Sequence, residues 1–338
     1  MARTSPLSVQ ATRPAGRFSS GDAAAFEDSL DLDTMPYMEP WIGSEPEMLG
    51  PTPQESPWPS VRSSTSVARV LVTIPVRNES ERLIPAIRAL KEVFDASGFA
   101  YQIAVAEDGS TDGTKALLHR LPELFPEILI QEWPHALGRG KALRQLWRAQ
   151  IADIYCFTDA DLASGTKPLA TVVREVANGW DVVTGSRYSV GSKVHRPPLR
   201  FLVSRAYNWL VRFAFSDGLR DHQCGLKAFS ASAVELLLDQ TTEDSWFWDT
   251  EILILAHAGG LRIKEVPVEW AEMKTSRTRF GRLFGDIMLH GGGLIRLKSR
   301  IRSRQIRARP RSFDAVISRA EPQRSRRPTP NIQLSQRP

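Results

Sequence analysis

The sequence predicts an α/β domain: a mostly parallel central sheet flanked by helices. Three observations lead there. From Ala68 onward, short β-branched and apolar runs alternate with helical stretches of about ten to fifteen residues, the pattern of strands joined by crossover helices. Polar clusters close the strands, namely Arg77-Asn78-Glu79, Glu107-Asp108-Gly-Ser110, Asp159-Ala-Asp161 and Gly185-Ser-Arg187. Ligands of such sheets gather beyond the carboxyl ends of the strands. Finally, 338 residues at 42% hydrophobic composition allow one large core, or a domain of roughly 230 residues with tails.

The elements follow in order. Ala68 to Ile74 is a β-branched and apolar strand, followed by the turn-forming Pro75. Asn78 to Phe94 reads as a helix, because Ile84, Ile87, Leu90 and Phe94 recur near helical spacing. Tyr101 to Ala106 is the next strand, Thr114 to Leu121 starts the next helix, and Glu127 to Glu132 is strand-like. Gly140 to Ala149 is helical, with Ala142, Leu143, Leu146 and Trp147 as its buried stripe. Asp153 to Phe157 is a strand that ends on Asp159-Ala-Asp161. Tyr188 to Pro198 is a Gly- and Pro-containing loop, and Phe201 to Phe215 is an apolar helix carrying Arg205 and Arg212. Asp221 to Phe229 runs from a loop into a strand or turn. Glu235 to Leu238 is a short helix and Thr250 to Ala258 a longer one. Leu261 to Trp270 is an extended arm.

Charge divides the chain into regions. Asp22 to Glu55 holds nine acidic residues and no Lys or Arg, whereas Arg296 to Arg311 is dense in arginine, within a net charge of +6. Residues 1–66 are rich in Pro, Ser, Gly and Glu without steady periodicity, and read as a disordered acidic arm. We expect a catalytic domain at 67–295 and a basic, largely disordered tail at 296–338. The only two cysteines are Cys156 and Cys224, which argues against a disulfide scaffold and for a reducing compartment. No apolar run reaches the roughly 18 residues that span a bilayer, and the first residues lack an apolar signal core. The expected location is cytoplasmic, with room for peripheral contact at the cytoplasmic membrane face.

Three clusters carry candidate chemistry. Asp159 and Asp161 are hard oxygen donors of the kind Mg²⁺ or Mn²⁺ takes, although a plain Asp-rich turn would have the same residues. Asp108 can accept a hydrogen bond from a base or ribose, or belong to a tight turn in which Ser110, Thr111 or Asp112 caps the next helix. Gly138-Arg-Gly-Lys141 opens a helix with accessible amides and two cations. It can hold a phosphate or be a simple loop-to-helix junction. No Cys/His cluster has zinc spacing.

Taken together, Ile74-Pro-Val-Arg-Asn-Glu79, Glu107-Asp-Gly-Ser-Thr-Asp-Gly-Thr114, Gly138-Arg-Gly-Lys141, Thr158-Asp-Ala-Asp-Leu162 and Gly185-Ser-Arg187 resemble the inverting family 2 glycosyltransferases. The branch they are most similar to is the dolichyl- or polyprenyl-phosphate mannose and glucose synthases. Asp221-His-Gln-Cys-Gly-Leu-Lys227, Trp248-Asp-Thr-Glu251 and Ile263-Lys-Glu-Val-Pro-Val-Glu-Trp270 extend the likeness. The resemblance implies a GT-A type nucleotide-sugar transferase fold. It implies that Pro75, Arg77, Glu79 and Asp108 meet the nucleotide. Lys141 and Ala160 belong to the donor side, and Asp159 and Asp161 hold the metal. Arg187 lies near the diphosphate and acceptor phosphate, with Arg200 and Ser204 as acceptor-phosphate positions. Gln223, Lys227, Trp248 and Glu251 line the sugar side, and Arg277 and Arg279 sit on a basic loop over the diphosphate.

The implied reaction moves a hexose from GDP-mannose or UDP-glucose to a polyprenyl or dolichyl phosphate. The acceptor is already an anion and needs no strong protein base; the main task is to bring two anions together. An alcohol or amine acceptor would need an acid near the reacting carbon, for which Glu251 and Asp249 are candidates and Asp221 a further one. The alternatives are a family 2 enzyme with a soluble or polysaccharide acceptor, and a non-catalytic nucleotide-sugar-binding or scaffold protein. Expected partners are a nucleotide-sugar donor, a lipid-phosphate acceptor and a membrane surface. Nucleic acid is not among them, since no binding fold or interleaved aromatics accompany the arginines. The sequence carries no signal for an oligomeric state.

Overall fold

Alternation along the strand Ile154–Thr158 explains how the central sheet is held: Tyr155 and Phe157 face one apolar layer, Ile154 and Cys156 the other. The computed structural model describes residues 67–271 and 280–303. In chain order the first half comprises β1 (Arg69–Val76), α1 (Leu83–Asp95), β2 (Ala100–Glu107), α2 (Thr114–Leu124), β3 (Leu129–Glu132), α3 (Arg139–Ala149) and β4 (Ile154–Thr158). Then come α4 (Lys167–Ala177), β5 (Val182–Ser186), β6 (Lys193–His195), α5 (Pro198–Phe215), β7 (Leu226–Ser230), α6 (Ala231–Leu238), α7 (Trp248–Ala258), β8 (Ile263–Pro267), β9 (Glu269–Ala271) and α8 (Phe280–Arg302).

A seven-stranded sheet runs in the order β3-β2-β1-β4-β7-β5-β8. Every pairing in it is parallel except those of β7, which is antiparallel to β4 and β5. The chain steps outward from β1 to β3, then returns to place β4 on the other side of β1. That reversal opens a crevice at the carboxyl ends of β1, β2 and β4, where ligands of open α/β sheets bind. The antiparallel β7 has a specific consequence. Leu226 at its start is opposite Thr158 at the end of β4, so the Asp221–Gly225 loop is delivered to the same crevice. β6 and β9 form a separate parallel pair.

Two apolar layers hold the sheet. On one face Trp147, Tyr155, Phe157, Phe229 and Trp248 interlock, with ring centroids 5.5–6.0 Å apart. Truncating such a buried aromatic to alanine removes about 3–5 kcal/mol. On the other face α1 packs through Leu83, Ile87, Leu90 and Phe94, and α4 through Leu169, Val172, Val173 and Val176. Helix α7 is buried on every side from Trp248 to Ala256, so its sequence shows no amphipathic period.

Three boundaries differ from expectation. The helix expected from Asn78 begins only at Leu83. Asn78 sits at φ 60°, its N–H donates to Ser110 Oγ at 2.9 Å and its Oδ1 accepts from Thr111 N at 2.7 Å. Residues 77–82 are thereby tied to the loop after β2 rather than wound into α1. Helix α4 occupies a stretch that carried no helix in the sequence reading. The tail boundary at 295 falls inside α8, which continues to Arg302 because Leu294 and Leu297 are buried in the core and Arg300 pairs with Glu251. The arm at 1–66 lies outside the described residues.

Candidate active site

A cleft of about 240 Å³ opens where the topology predicts, at the ends of β1, β2 and β4. Pro75, Arg77, Glu79, Asp108, Asp159, Ala160 and Asp161 line it together, joined by Gly138 and Arg139 of the Gly138–Lys141 segment and by Val76, Ser245 and Trp246. The loops are stitched to one another before any ligand arrives. Glu79 N donates to Thr114 Oγ1 at 2.9 Å. Asp108 Oδ1 accepts from Leu137 N at 2.6 Å and Gly138 N at 2.9 Å. Asp112 supplies the carboxylate that accepts from Thr114 N at 2.8 Å, a turn that leads into α2, whose N-cap position is Gly113 without a side-chain cap, while Asp108 lines the cleft. Gly138 adopts φ +91°, and an added Cβ would lie 2.4 Å from Asp244 O. Only glycine makes that approach.

Electrostatically, the floor of the cleft is a chain of alternating charges. Arg139 reaches Asp159 Oδ1 at 2.8 Å and Asp249 Oδ2 at 3.0 Å, and Asp249 Oδ1 accepts from Lys227 Nζ at 2.7 Å. Lys227 Nζ also donates to Cys224 O at 2.6 Å. Arg139 is held over Phe157 at 5.2 Å and Trp246 at 4.3 Å, the distance range of cation–π contact. Burial raises the Asp159 carboxyl to about 6; Arg139 opposes the rise, Asp161 and Asp249 add to it, and Lys227 opposes it. Its Oδ2 lies 1.8 Å from where a Cβ of Gly225 would stand, so the glycine is what leaves the carboxylate its place. Asp161 Oδ1 accepts from Ala163 N at 3.0 Å, which fixes the second acid of the pair.

The second half supplies a separate arginine. Arg187 makes a two-pronged pair with Asp221, Nε and NH2 each 2.7 Å from a carboxylate oxygen, and its backbone N–H donates to the same acid at 2.9 Å. Its guanidinium lies 4.9 Å from the Trp270 ring and 5.6 Å from Tyr188. Burial would push the Asp221 carboxyl up, but the Arg187 charge and hydrogen bonds outweigh it and hold the group below its ordinary value. Ser204, expected at the acceptor phosphate, donates to Phe201 O at 3.1 Å and accepts from Arg196 NH1 at 3.1 Å. Tyr188 Oη shares a hydrogen bond with it. Arg200 lies in the first turn of α5.

Several expected residues stand elsewhere. Glu251 is fully buried and is not among the residues that line the cleft. Its oxygens accept from Thr242 N, Thr242 Oγ1 and Glu243 N at 2.9–3.1 Å and from Arg300 at 2.5 Å. The reason is local: the carboxylate saturates the donors of the turn entering α7. Trp248 is completely buried among aromatic rings, rather than facing a sugar. Lys141 is not among the cleft residues; its neighbour Arg139 is, because the helical turn puts the two on different sides. Asp249 and Lys227 lie beneath the cleft, paired to each other and to Arg139. Gln223 donates its backbone N–H to Asp221 Oδ1 at 3.2 Å and is part of the loop brought in by β7. Arg277 and Arg279 lie outside the described residues. Ser245 and Trp246 are additions; an exposed Trp in a polar turn was the signal for the latter.

Among the described residues no group of three or more His, Cys, Asp or Glu side chains could hold a metal ion alone. Asp159 and Asp161 nevertheless suit a hard divalent ion shared with phosphate oxygens and water, which takes one or two carboxylates from the protein. Arg139 Nε, buried in the cleft wall without a hydrogen-bond partner, also matches an anionic ligand.

Residues 71–237 match the family described as Glycosyl transferase family 2. The chain is 36% identical over 230 residues to Glycosyltransferase AglD of Haloferax volcanii, covering 67% of this chain. It spans only 36% of that longer relative. To the dolichyl-phosphate beta-glucosyltransferase ALG5C of Trichomonas vaginalis it is 28% identical over 247 residues, 68% of this chain and 72% of the relative. Glucosyl-3-phosphoglycerate synthase from Mycobacterium tuberculosis, solved with phosphoglyceric acid, matches with TM-score 0.54 at 19% identity, over 69% of this chain and 80% of that one. The likeness is one of GT-A fold. With its switch-point cleft, its Asp159-Ala-Asp161 pair and the match over residues 71–237, the chain carries a glycosyltransferase family 2 domain.

Proposed function

We propose that this protein transfers a hexosyl group from a nucleotide sugar to the phosphate of a polyprenyl-type lipid, with inversion at the anomeric carbon. The observation that carries the reading is the meeting of Asp108, Arg139, Asp159 and Asp161 in one cleft. Relatives named as dolichyl-phosphate beta-glucosyltransferases support the acceptor class, with UDP-glucose and GDP-mannose both kept as donors.

The chemistry follows from charge. A phosphate oxygen of the acceptor attacks the anomeric carbon. The bond from that carbon to the donor diphosphate breaks, and its electron pair leaves with the nucleoside diphosphate. The nucleophile is already anionic, so no buried carboxylate has to remove a proton. Asp108 and Glu79 orient the nucleoside end. Arg139 offers positive charge where the diphosphate gathers negative charge, the form of stabilisation that matters most as a leaving group departs. Mg²⁺ or Mn²⁺, when bound, would screen the diphosphate, held by Asp159 and Asp161. Asp249 and Lys227 keep Arg139 in place from below. Arg187, held by Asp221, is proposed to act near the diphosphate and acceptor phosphate, and Arg200 and Ser204 are proposed for the acceptor phosphate. Arg277 and Arg279 are proposed for the far side of the diphosphate. The buried thiols of Cys156 and Cys224 fit a reducing, cytoplasmic setting.

The full chain incubated with UDP-glucose or GDP-mannose, a divalent ion and a polyprenyl phosphate is expected to yield an organic-extractable sugar, identified by mass spectrometry. Folded protein that binds nucleotide yet forms no such product with either donor would replace this reading with a binding role. Product only with a water-soluble acceptor would move the enzyme to the other acceptor class.

A further inference from the structure

A second cavity, of about 190 Å³, opens beside α5 and is lined by Tyr188, Arg205, Asn208, Arg212 and Arg220. Three of its five lining residues are arginines and none is an acid. Arg212 Nε is buried there and meets no hydrogen-bond acceptor among the described residues, an arrangement that folded proteins otherwise avoid. Acids on the adjoining segments are already engaged. Asp217 Oδ2 lies 2.6 Å from His222 Nε2, and Asp221 is held by Arg187. Glu265 accepts from the backbone N–H groups of Arg220 and Asp221 at 2.9–3.0 Å. The positive charge of the cavity is therefore left for an anion from outside.

Helix α5 says which anion. It contains no Asp or Glu. Ser204, Asn208 and Val211 form its buried face, while Leu199, Leu202, Trp209, Leu210 and Phe213 are 46–75% exposed on the opposite side. Trp209 and Phe213 stack with ring centroids 5.7 Å apart, an aromatic plate open to solvent. At helical spacing, Arg205 and Arg212 fall on the border between the buried and the apolar faces. An apolar stripe edged by cations is the design of a helix lying in a membrane interface, where anionic headgroups meet the cations and acyl chains meet the stripe. A second copy of the same face would set arginine against arginine with no acid to answer it.

We propose that the Arg205–Arg212–Arg220 cavity binds the phosphate headgroup of an anionic membrane lipid, seating α5 on the bilayer. This site differs from the donor cleft and from the proposed acceptor positions Arg200 and Ser204. It rests on the proposed function only in placing the enzyme at the membrane that holds its acceptor.

The test is partition of the full chain onto phosphatidylcholine vesicles with and without phosphatidylglycerol. It is combined with quenching of tryptophan fluorescence by brominated lipid. Binding is expected to depend on the anionic lipid, and the quenching to shrink in Trp209→Phe. Joint Arg205→Gln, Arg212→Gln and Arg220→Gln substitution is expected to weaken partition on the order of a hundredfold, from about fivefold per surface arginine. Joint Arg307→Gln, Arg309→Gln and Arg311→Gln substitution removes equal charge elsewhere and should weaken it far less. Thermal melts of each variant check folding, and Leu202→Ser with Phe213→Ser tests the stripe without touching the cavity. Transfer to a detergent-solubilised acceptor is expected to persist in the cavity variant. Equal losses in both triple variants would overturn the proposal. So would equal binding to neutral vesicles, or saturation by inorganic phosphate of a protein that ignores vesicles. Loss of transfer in detergent would also overturn it, by assigning the cavity to the reaction itself.

Discussion

The two halves of this domain reach the cleft by different routes. From β1 to β4 the chain lays down strand, helix and strand in order, and each strand end delivers its polar cluster directly. From β5 onward, the contribution depends on an antiparallel strand, β7, that inserts between β4 and β5 and carries residues 221–225 to the end of β4. The first half presents acids to a ligand; the second surrounds them with buried, neutralised pairs. In the first half Asp159 remains partly open, with 24% of its side chain exposed. In the second, Asp221 is fully enclosed by Arg187 and backbone donors. Open acids and enclosed ion pairs are thus divided between the halves.

The sharpest way to break that division is to remove one partner of the enclosed pair. Asp221→Asn is expected to destabilise the fold by about 3–5 kcal/mol, because Arg187 is left charged and buried. Urea unfolding at neutral pH measures it. The acid limb carries a second signature. The Asp221 carboxyl is held below its unfolded value of 3.8, so its contribution is present above that pH and lost as pH falls through the lower folded value. Stability curves of wild type and Asp221→Asn should therefore converge at low pH; parallel curves would refute the pairing argument.

Asp161→Asn tests the open half. We expect transfer to fall by about 10²–10³-fold, the scale of removing one electrostatic stabiliser, with the melting temperature little changed. A stability loss without a rate loss would turn the acid pair into scaffolding. Gly225→Ala probes the seam between the halves. A Cβ there would overlap Asp159 Oδ2, so the acid must move. A stability loss of about 1–3 kcal/mol, with weakened nucleotide binding by calorimetry, is the expected outcome.

Glu251→Gln should cost on the order of 1–2 kcal/mol through its turn donors and Arg300, while the pH profile of transfer keeps its shape. A general base would instead give a rate loss of about 10²–10⁴-fold. The smallest effect concerns the cysteines. Burial raises the thiols of Cys156 and Cys224 to about 12. Folded protein at pH 8 should leave a disulfide reagent unreacted, and both thiols should react only on unfolding.

Local pattern was enough to place most of the cleft lining. Pro75, Arg77, Glu79, Asp108, Asp159, Ala160 and Asp161 each lie at a strand end or within a few residues of one, so reading strand ends was reading the cleft. It was not enough for Lys141, where the next choice along the chain, Arg139, is the one that turns inward. Nor was it enough for Glu251 and Trp248. A carboxylate or an indole beside an apolar run looks the same in sequence whether it faces a ligand or a buried turn. Helix α7 illustrates the difficulty, since a helix enclosed on all sides has no polar face to mark which residues point where.

The sequence by itself determined the alternation of strands and helices, the acid pair at the end of β4 and the glycines that make close approach possible. These are properties of a few neighbouring residues, governed by backbone sterics and apolar period. Only the tertiary structure decided that Arg139 bridges Asp159 and Asp249, and that Asp221 neutralises Arg187. It alone showed that the aromatic face of α5 stays uncovered. Those outcomes depend on which distant groups share a desolvated space, and charge pairing in such a space is set by strand order and register.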